Sequence, residues 1–266
     1  MDVSVIILNY NTFDYTCQCI QSVIDKTIGV SYEIILVDNA SKECDSELFK
    51  VKFPFIKLIK SDVNLGFSKG CNLGISKSVG NYVLLLNSDT KLLNNAIELS
   101  YKNFNQNSKL EICTVKILLE NDLQFNCESF PSLWKLLFQK FRIHKLYPKK
   151  LRGRVFLGYN FSYDEKIKVD AVHGTFMMID KKKIQTLNEK YFMYCEDLLW
   201  CWEIRKKGFE ILFEPNGLIF HYRYGSSKDL EKPVLTKKEY LDNYYDFIKS
   251  TMSKVEYYTI KFFKLL

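Results

Sequence analysis

The chain of 266 residues carries 38 Lys and Arg against 31 Asp and Glu, a formal charge of +7, with 47% hydrophobic and 26% charged residues. That is enough chain to bury a full core, in a balance that points away from a disordered or fibrous protein. Eight Cys without one C-x-x-C pair read as reduced, buried thiols, not as a disulfide frame or zinc site.

Val3-Ser4-Val5-Ile6-Ile7-Leu8 reads as a strand buried on both faces, followed by Asn9-Tyr10-Asn11-Thr12 and a helix over 14–25. It is too short, and lacks the basic flank, to be a secretory leader, and no run in the chain reaches transmembrane length. A second strand, 33–37, delivers Asp38-Asn39-Ala40-Ser41 at its tip. A third, 56–59, leads into Asn64-Leu65-Gly66-Phe67-Ser68-Lys69-Gly70-Cys71-Asn72-Leu73-Gly74 and a helix. The fourth, Tyr82-Val83-Leu84-Leu85-Leu86, runs into Asn87-Ser88-Asp89-Thr90. Alternating strands and helices predict an α/β architecture with a parallel, doubly wound sheet.

Ligands of such sheets sit outside the carboxyl ends of the strands. Three successive tips here present Asn9 and Asn11, Asp38, and Asp89, which suggests one crevice for a polar molecule. The bland alternative is that Asn87-Ser88-Asp89 is only a polar turn. Gly66, Gly70 and Gly74 share one helical face, where they either pack against the sheet or admit a close backbone approach. Asn64 and Asn72 have the better claim to function in that loop. Neither a G-x-G-x-x-G after a strand nor a phosphate loop is present.

These pieces, Val-Ile-Ile-Leu-Asn-Tyr-Asn at the start, Val-Asp-Asn-Ala-Ser at 37–41, Asn-x-Gly-Phe-x-x-Gly-x-Asn at 64–72 and Leu-Asn-Ser-Asp at 86–89, resemble the inverting glycosyltransferases of family 2. The resemblance implies a GT-A fold: a Rossmann-like, mostly parallel sheet flanked by helices, with a C-terminal helical extension. It implies a nucleoside-diphosphate sugar in the first half, with Asn9, Tyr10, Asn11, Asp38, Asn39, Asn64, Gly66, Phe67, Asn72, Asn87, Ser88 and Asp89 around the nucleotide. Asp89 stands where the family's last D-x-D aspartate binds a divalent metal, Mn2+ or Mg2+, bridging the diphosphate. Asn87 replaces the first aspartate of that motif, and an amide is a weaker ligand than a carboxylate.

After a helix near 94–107 and a strand over 111–119, the stretch Ser129–Tyr163 contains no acidic residue and eight basic ones, interleaved with Trp134, Phe138, Phe141 and Tyr147. Such a segment suits anionic headgroups or a lipid-borne pyrophosphate; a solvated insertion without a partner is the alternative. No base-reading module accompanies it, so nucleic acid is not an expected partner. A strand-like run follows over 169–179, holding His173 and Gly174. His173 reads either as a contact to a phosphate or sugar hydroxyl or as a satisfied core histidine.

Next, Tyr191-Phe192-Met193-Tyr194-Cys195-Glu196-Asp197 opens an amphipathic helix that stops at Gly208. Paired carboxylates at a helix start either cap it or act on a substrate. The resemblance implies Asp197 as general base and Glu196 beside it, with His173, Gly174, Trp200 and Arg205 near donor sugar or acceptor. Leu199 and Glu203 depart from the family pattern, which puts acceptor contacts in question. A strand pair over 211–220 ends at His221, which the resemblance makes a metal ligand with Asp89; Tyr222 to Ser227 would be a loop near the diphosphate.

The domain expected is 1–230, with a nucleotide-sugar half (1–110) and an acceptor half (111–230) that holds the insertion 129–163; a helical tail covers 231–266. The combined expectation is metal-dependent transfer from a UDP- or dTDP-sugar, dTDP-rhamnose among them, to a glycan or lipid-linked saccharide in bacterial surface polysaccharide synthesis. The expected location is cytoplasmic and peripheral on the inner face of the cell membrane, through 134–154 with 255–266 as a second contact. The rivals are a sugar-nucleotide-binding protein without turnover, a nucleotidyltransferase, and a basic binding module. The nucleotidyltransferase would need Gly and Arg in the first loop, where Asn9-Tyr10-Asn11-Thr12 has neither.

Overall fold

The structure, a computed structural model, describes residues 1–183, 186–222, 233–263 and 265. Along the first half, β1 (Val3–Asn9), α1 (Phe13–Lys26), β2 (Tyr32–Asp38), α2 (Glu47–Lys52), β3 (Lys57–Lys60), α3 (Gly66–Ser76) and β4 (Tyr82–Asn87) alternate as the pattern predicts. Then come β5 (Thr90–Leu92), α4 (Ala96–Gln106), β6 (Leu110–Leu118) and β7 (Cys127–Glu128). The insertion forms α5 (Leu133–Lys140) and α6 (Lys149–Phe156), followed by β8 (Ile167–Val169), β9 (Ala171–Val172) and β10 (Phe176–Asp180). The chain closes with α7 (Glu196–Lys206), β11 (Glu210–His221), α8 (Pro233–Thr251) and α9 (Lys254–Phe262).

The main sheet runs β3-β2-β1-β4-β10-β6-β11-β5, with β8 also on β11. Strands β3, β2, β1 and β4 are parallel, and β10 is inserted antiparallel between β4 and β6. Successive side chains point to opposite faces, so β1 feeds two cores. Val3, Val5 and Ile7 meet α1, α2 and α4, while Ile6 joins the side of α3, α7 and α8.

Two interruptions decide where chemistry can happen. The run 169–179 is not one strand: β9 stops at Val172 and β10 begins at Phe176, leaving His173-Gly174-Thr175 as a turn at the tip of β4. The expected pair of strands over 211–220 is instead one 12-residue strand, β11. Its register shifts between Glu214 and Leu218, across Pro215, Asn216 and Gly217. A bulge absorbs residues that cannot keep the ladder. Asn94 fills the gap, its side chain accepting from Leu218 N and donating to Asn216 O.

The helical tail is built into the body. Phe247 and Ile248 of α8 and Ile260 of α9 are fully buried in the core on the α7 side.

Candidate functional site

Register brings the strand tips together. Asn9 of β1 is opposite Asp38 of β2, and Leu8 is opposite Asn87 of β4. Strand order reverses between β1 and β4, the place where open α/β sheets leave a crevice. A cleft of about 400 Å³ opens there. One wall comes from Tyr10, Asn39, Asn64, Gly66 and Phe67, the floor from Asn87, Ser88 and Asp89, and the far wall from His173, Gly174, Glu196 and Asp197.

The loops at the tips of β1 and β2 and before α3 are held by amide networks. Asn39 Nδ2 donates to Asn64 Oδ1 at 2.9 Å, and Asn39 Oδ1 accepts from Leu65 N at 2.8 Å. Asn9 and Asp38 are buried and engaged with each other, Asn9 Nδ2 donating to Asp38 Oδ1 at 2.8 Å and to Ser41 Oγ at 2.9 Å. Asn11 turns with φ 54° and accepts from Lys42 N, so it shapes the loop outside the lined cleft.

Asn9, Asn11 and Asp38 are not among the residues lining the cleft, and three more expected site residues lie elsewhere for identifiable reasons. Asn72 cross-links α3 to the 187–189 segment: its amide donates to Leu187 O and Glu189 Oε1 and accepts from Leu187 N. Trp200 is buried, stacks on Phe67 and donates to Asn188 O. Arg205 closes the end of α7, donating to Phe209 O. The two departures from the family pattern are also internal to the fold: Leu199 is buried and Glu203 accepts from Asn188.

Glu196 and Asp197 reach the cleft from a strained turn. Tyr194 and Cys195 adopt φ of 67° and 68°, the left-handed region that residues with a Cβ avoid. The turn is held from two sides, by Phe67 N donating to Phe192 O and by Asn243 Nδ2 donating to Met193 O and Tyr194 O. Asp197 Oδ2 accepts from Gly174 N at 3.1 Å and its Oδ1 from Leu198 N at 2.8 Å. Glu196 is 7% exposed, and among the described residues its Oε2 has no hydrogen-bond partner. Burial and then the charge of Asp197 lift Glu196 to about 8; Asp197 is also raised by burial, with His173 and the two backbone N–H groups opposing the rise.

His173 is neither a bare substrate contact nor an inert core residue. Its Nε2 sits 2.9 Å from Glu128 Oε1 across the small β7–β9 sheet, inside the cleft. Burial opposes its charge, but the hydrogen bond and charge of Glu128, with Asp197 and Glu196 beyond, push it up to about 9. Glu128, Tyr194 and Tyr240 are cleft residues that sequence reasoning missed. Glu128 stands one residue before the acid-free stretch, and that isolated acid was the available signal.

Behind the cleft floor, His221 Nε2 lies 3.0 Å from Oδ1 of Asp89, which lines the cleft, and its Nδ1 is 2.6 Å from Gln124 Oε1. β11 pairing with β5 sets this, His221 being opposite Thr90. One carboxylate and one imidazole, the latter oriented by an amide oxygen, are a donor set that suits a hard divalent cation. Among the described residues no cluster of three His, Cys, Asp or Glu offers a fuller cage. Of the loop expected over 222–227, Tyr222 packs on Tyr15 and donates to Gln18; 223–227 lie outside the described residues.

The sequence model of glycosyl transferase family 2 matches residues 4–168. The chain belongs to this family. The low-salt glycan biosynthesis hexosyltransferase Agl10 of Haloferax volcanii is 29% identical over 219 residues, 79% of this chain and 64% of that protein. The chain thus spans less than two thirds of that relative's length. Among solved structures, GalNAc-T7 with UDP, GalNAc and Mn2+ superposes with a TM-score of 0.62 at 17% identity, covering 84% of this chain and 44% of that one. TarS 1–349 of S. aureus gives 0.56 at 15% identity, covering 94% and 74%. These likenesses establish the GT-A fold for this family 2 chain, whose fold class the motifs had already indicated.

Proposed function

We propose that this chain is an inverting glycosyltransferase that moves a hexosyl group from a nucleoside-diphosphate sugar to a hydroxyl of a glycan or lipid-linked saccharide. The observation that carries the reading is a single cleft with strand-tip amides and Asp89 on one side and an anchored carboxylate, Asp197, on the other. The hexosyltransferase name of the haloarchaeal relative and the UDP, GalNAc and Mn2+ of the solved neighbour support it.

In a single displacement, the acceptor oxygen bonds to the anomeric carbon, the bond from that carbon to the diphosphate oxygen breaks, and the hydroxyl proton goes to Asp197. Two backbone N–H groups fix this carboxylate, so it accepts the proton without having to reorient. Glu196, mostly protonated near neutral pH, is an O–H donor for a sugar or acceptor oxygen. Asp89 and His221 would hold Mn2+ or Mg2+, whose charge, when bound, neutralises the leaving diphosphate. The donor nucleoside is uridine or thymidine in this reading, with dTDP-rhamnose one member of the class.

Calorimetric binding of UDP, dTDP and GDP, each with and without Mn2+, tests the donor site in wild type and Asp89→Ala. One nucleotide should bind in a Mn2+-dependent way and lose about tenfold or more in the variant. A folded protein that binds none of the three would overturn the assignment.

A further inference from the structure

We infer that the outer face of the α5–α6 insertion, joined by α9, docks on an anionic lipid bilayer. This does not rest on the donor chemistry above.

The insertion presents two kinds of side chain on one surface. Leu136, His144 and Phe156 turn inward and are buried. Outward stand Phe141, 62% exposed, Leu146, 84% exposed, and Ile143 and Leu151. Arg142, Lys145, Lys149 and Lys150 lie between them in sequence and are all exposed. Within the segment, ion pairs go to Lys135, with Asp170, and Arg154, with Glu165. Among the described residues, Arg142, Lys145, Lys149 and Lys150 have no carboxylate at ion-pairing distance. From Ser129 to Tyr163 the sequence supplies no acid to compensate them.

α9 packs against α5 and adds Val255, Tyr258 and Phe262, 75%, 65% and 81% exposed. Aliphatic and aromatic groups left in water beside positive charge of one sign mark a partner site. A bilayer with anionic headgroups complements both, the cations at phosphate level and the apolar side chains at the acyl boundary. A nucleic acid would leave Leu146, Leu151 and Ile143 without a role. The same insertion walls a second cavity of about 190 Å³ that shares Glu128 with the cleft, so a substrate borne on the bilayer would reach the cleft along this segment.

The test is co-sedimentation of the full chain with vesicles of phosphatidylcholine alone or with about 30% phosphatidylglycerol. The protein should pellet with the anionic vesicles and be released by about 0.5 M salt. The quadruple variant Arg142→Gln, Lys145→Gln, Lys149→Gln, Lys150→Gln should bind about 600-fold more weakly, since each basic side chain near such a surface contributes about fivefold. Trp134, 45% exposed, should shift its fluorescence to the blue on anionic vesicles, and Trp134→Phe should abolish most of that shift. An unchanged melting temperature shows that each variant is folded. Equal binding to both vesicle types, no binding to either, or a quadruple variant that binds like wild type would overturn the inference. So would capture by heparin with no vesicle binding.

Discussion

Glu196 and Asp197 are adjacent in sequence but sit in different electrostatic settings. Asp197 has a backbone N–H on each oxygen, whereas Glu196 keeps a buried oxygen without a hydrogen-bond partner among the described residues. Burial therefore acts on the two differently: it lifts Glu196 to about 8, whereas His173 and the backbone N–H groups of Gly174 and Leu198 oppose the rise that burial imposes on Asp197. The consequence reaches stability. The native protein holds a proton on Glu196 up to about 8, whereas the unfolded chain releases it around the ordinary carboxyl value of 4.5. Where the native state binds the extra proton, stability falls as pH rises. His173 acts in the same direction: raised from 6.5 to about 9, its contribution is complete below 6.5 and lost as pH climbs through 9. The melting temperature should fall between pH 5 and 9. Glu196→Gln, which mimics the neutral acid, should flatten the slope below pH 8 and melt higher than wild type at pH 8. A variant with the full wild-type slope would show that Glu196 is ionised in the native protein.

At the scale of elements, α3 shows what a sequence pattern conveys and what it omits. The shared face of its glycines was legible, and the structure makes that face a packing device: a Cβ on Gly70 would meet Leu8 Cδ1, and one on Gly74 Ile6 Cγ2, each at 2.5 Å. Gly66 does something further. It has φ +75°, and a Cβ there would run into the backbone carbonyl of Phe192, on the turn that presents Glu196. Gly66→Ala should cost about 1–3 kcal/mol in urea unfolding, from backbone strain and a collision that no side-chain rotation relieves. A cost below about 0.5 kcal/mol would mean that the 192 turn moves freely. The four parallel strands and their polar tips were legible because buried strands and turn residues alternate in short range. The break at 173–175 and the bulge at 214–218 were not, because each follows from pairing with a distant strand. Asn72, Trp200 and Arg205 looked functional by position, yet each is engaged with backbone atoms that only the folded chain brings near. Glu128 was missed because its partner, His173, lies 45 residues away.

The whole molecule couples its C-terminal helices to the turn that presents Glu196 and Asp197. Tyr240 lines the cleft and, three residues on, Asn243 bonds the carbonyls of Met193 and Tyr194. Asp246 accepts from Tyr191 Oη at 2.8 Å and pairs with Lys190 at 2.5 Å, while Phe247 and Ile248 anchor the helix in the core. The boundary read near residue 230 therefore separates chain segments whose side chains share one core and one site. Two consecutive left-handed residues, Tyr194 and Cys195, persist only where surrounding contacts over-determine them. Asn243 is such a contact, and it touches neither strand tips nor Asp89. Asn243→Ala leaves two carbonyls without their amide partner and should cost about 1–3 kcal/mol in unfolding. Its functional signature should be selective: nucleotide affinity within about twofold of wild type, and the transfer rate lower by about tenfold or more because the carboxylates lose their placement. Calorimetry paired with single-turnover rates separates the two effects. Equal losses in nucleotide affinity and rate would mean that the variant loosens the whole cleft; an unchanged rate would mean that the Phe67–Phe192 hydrogen bond holds the turn alone.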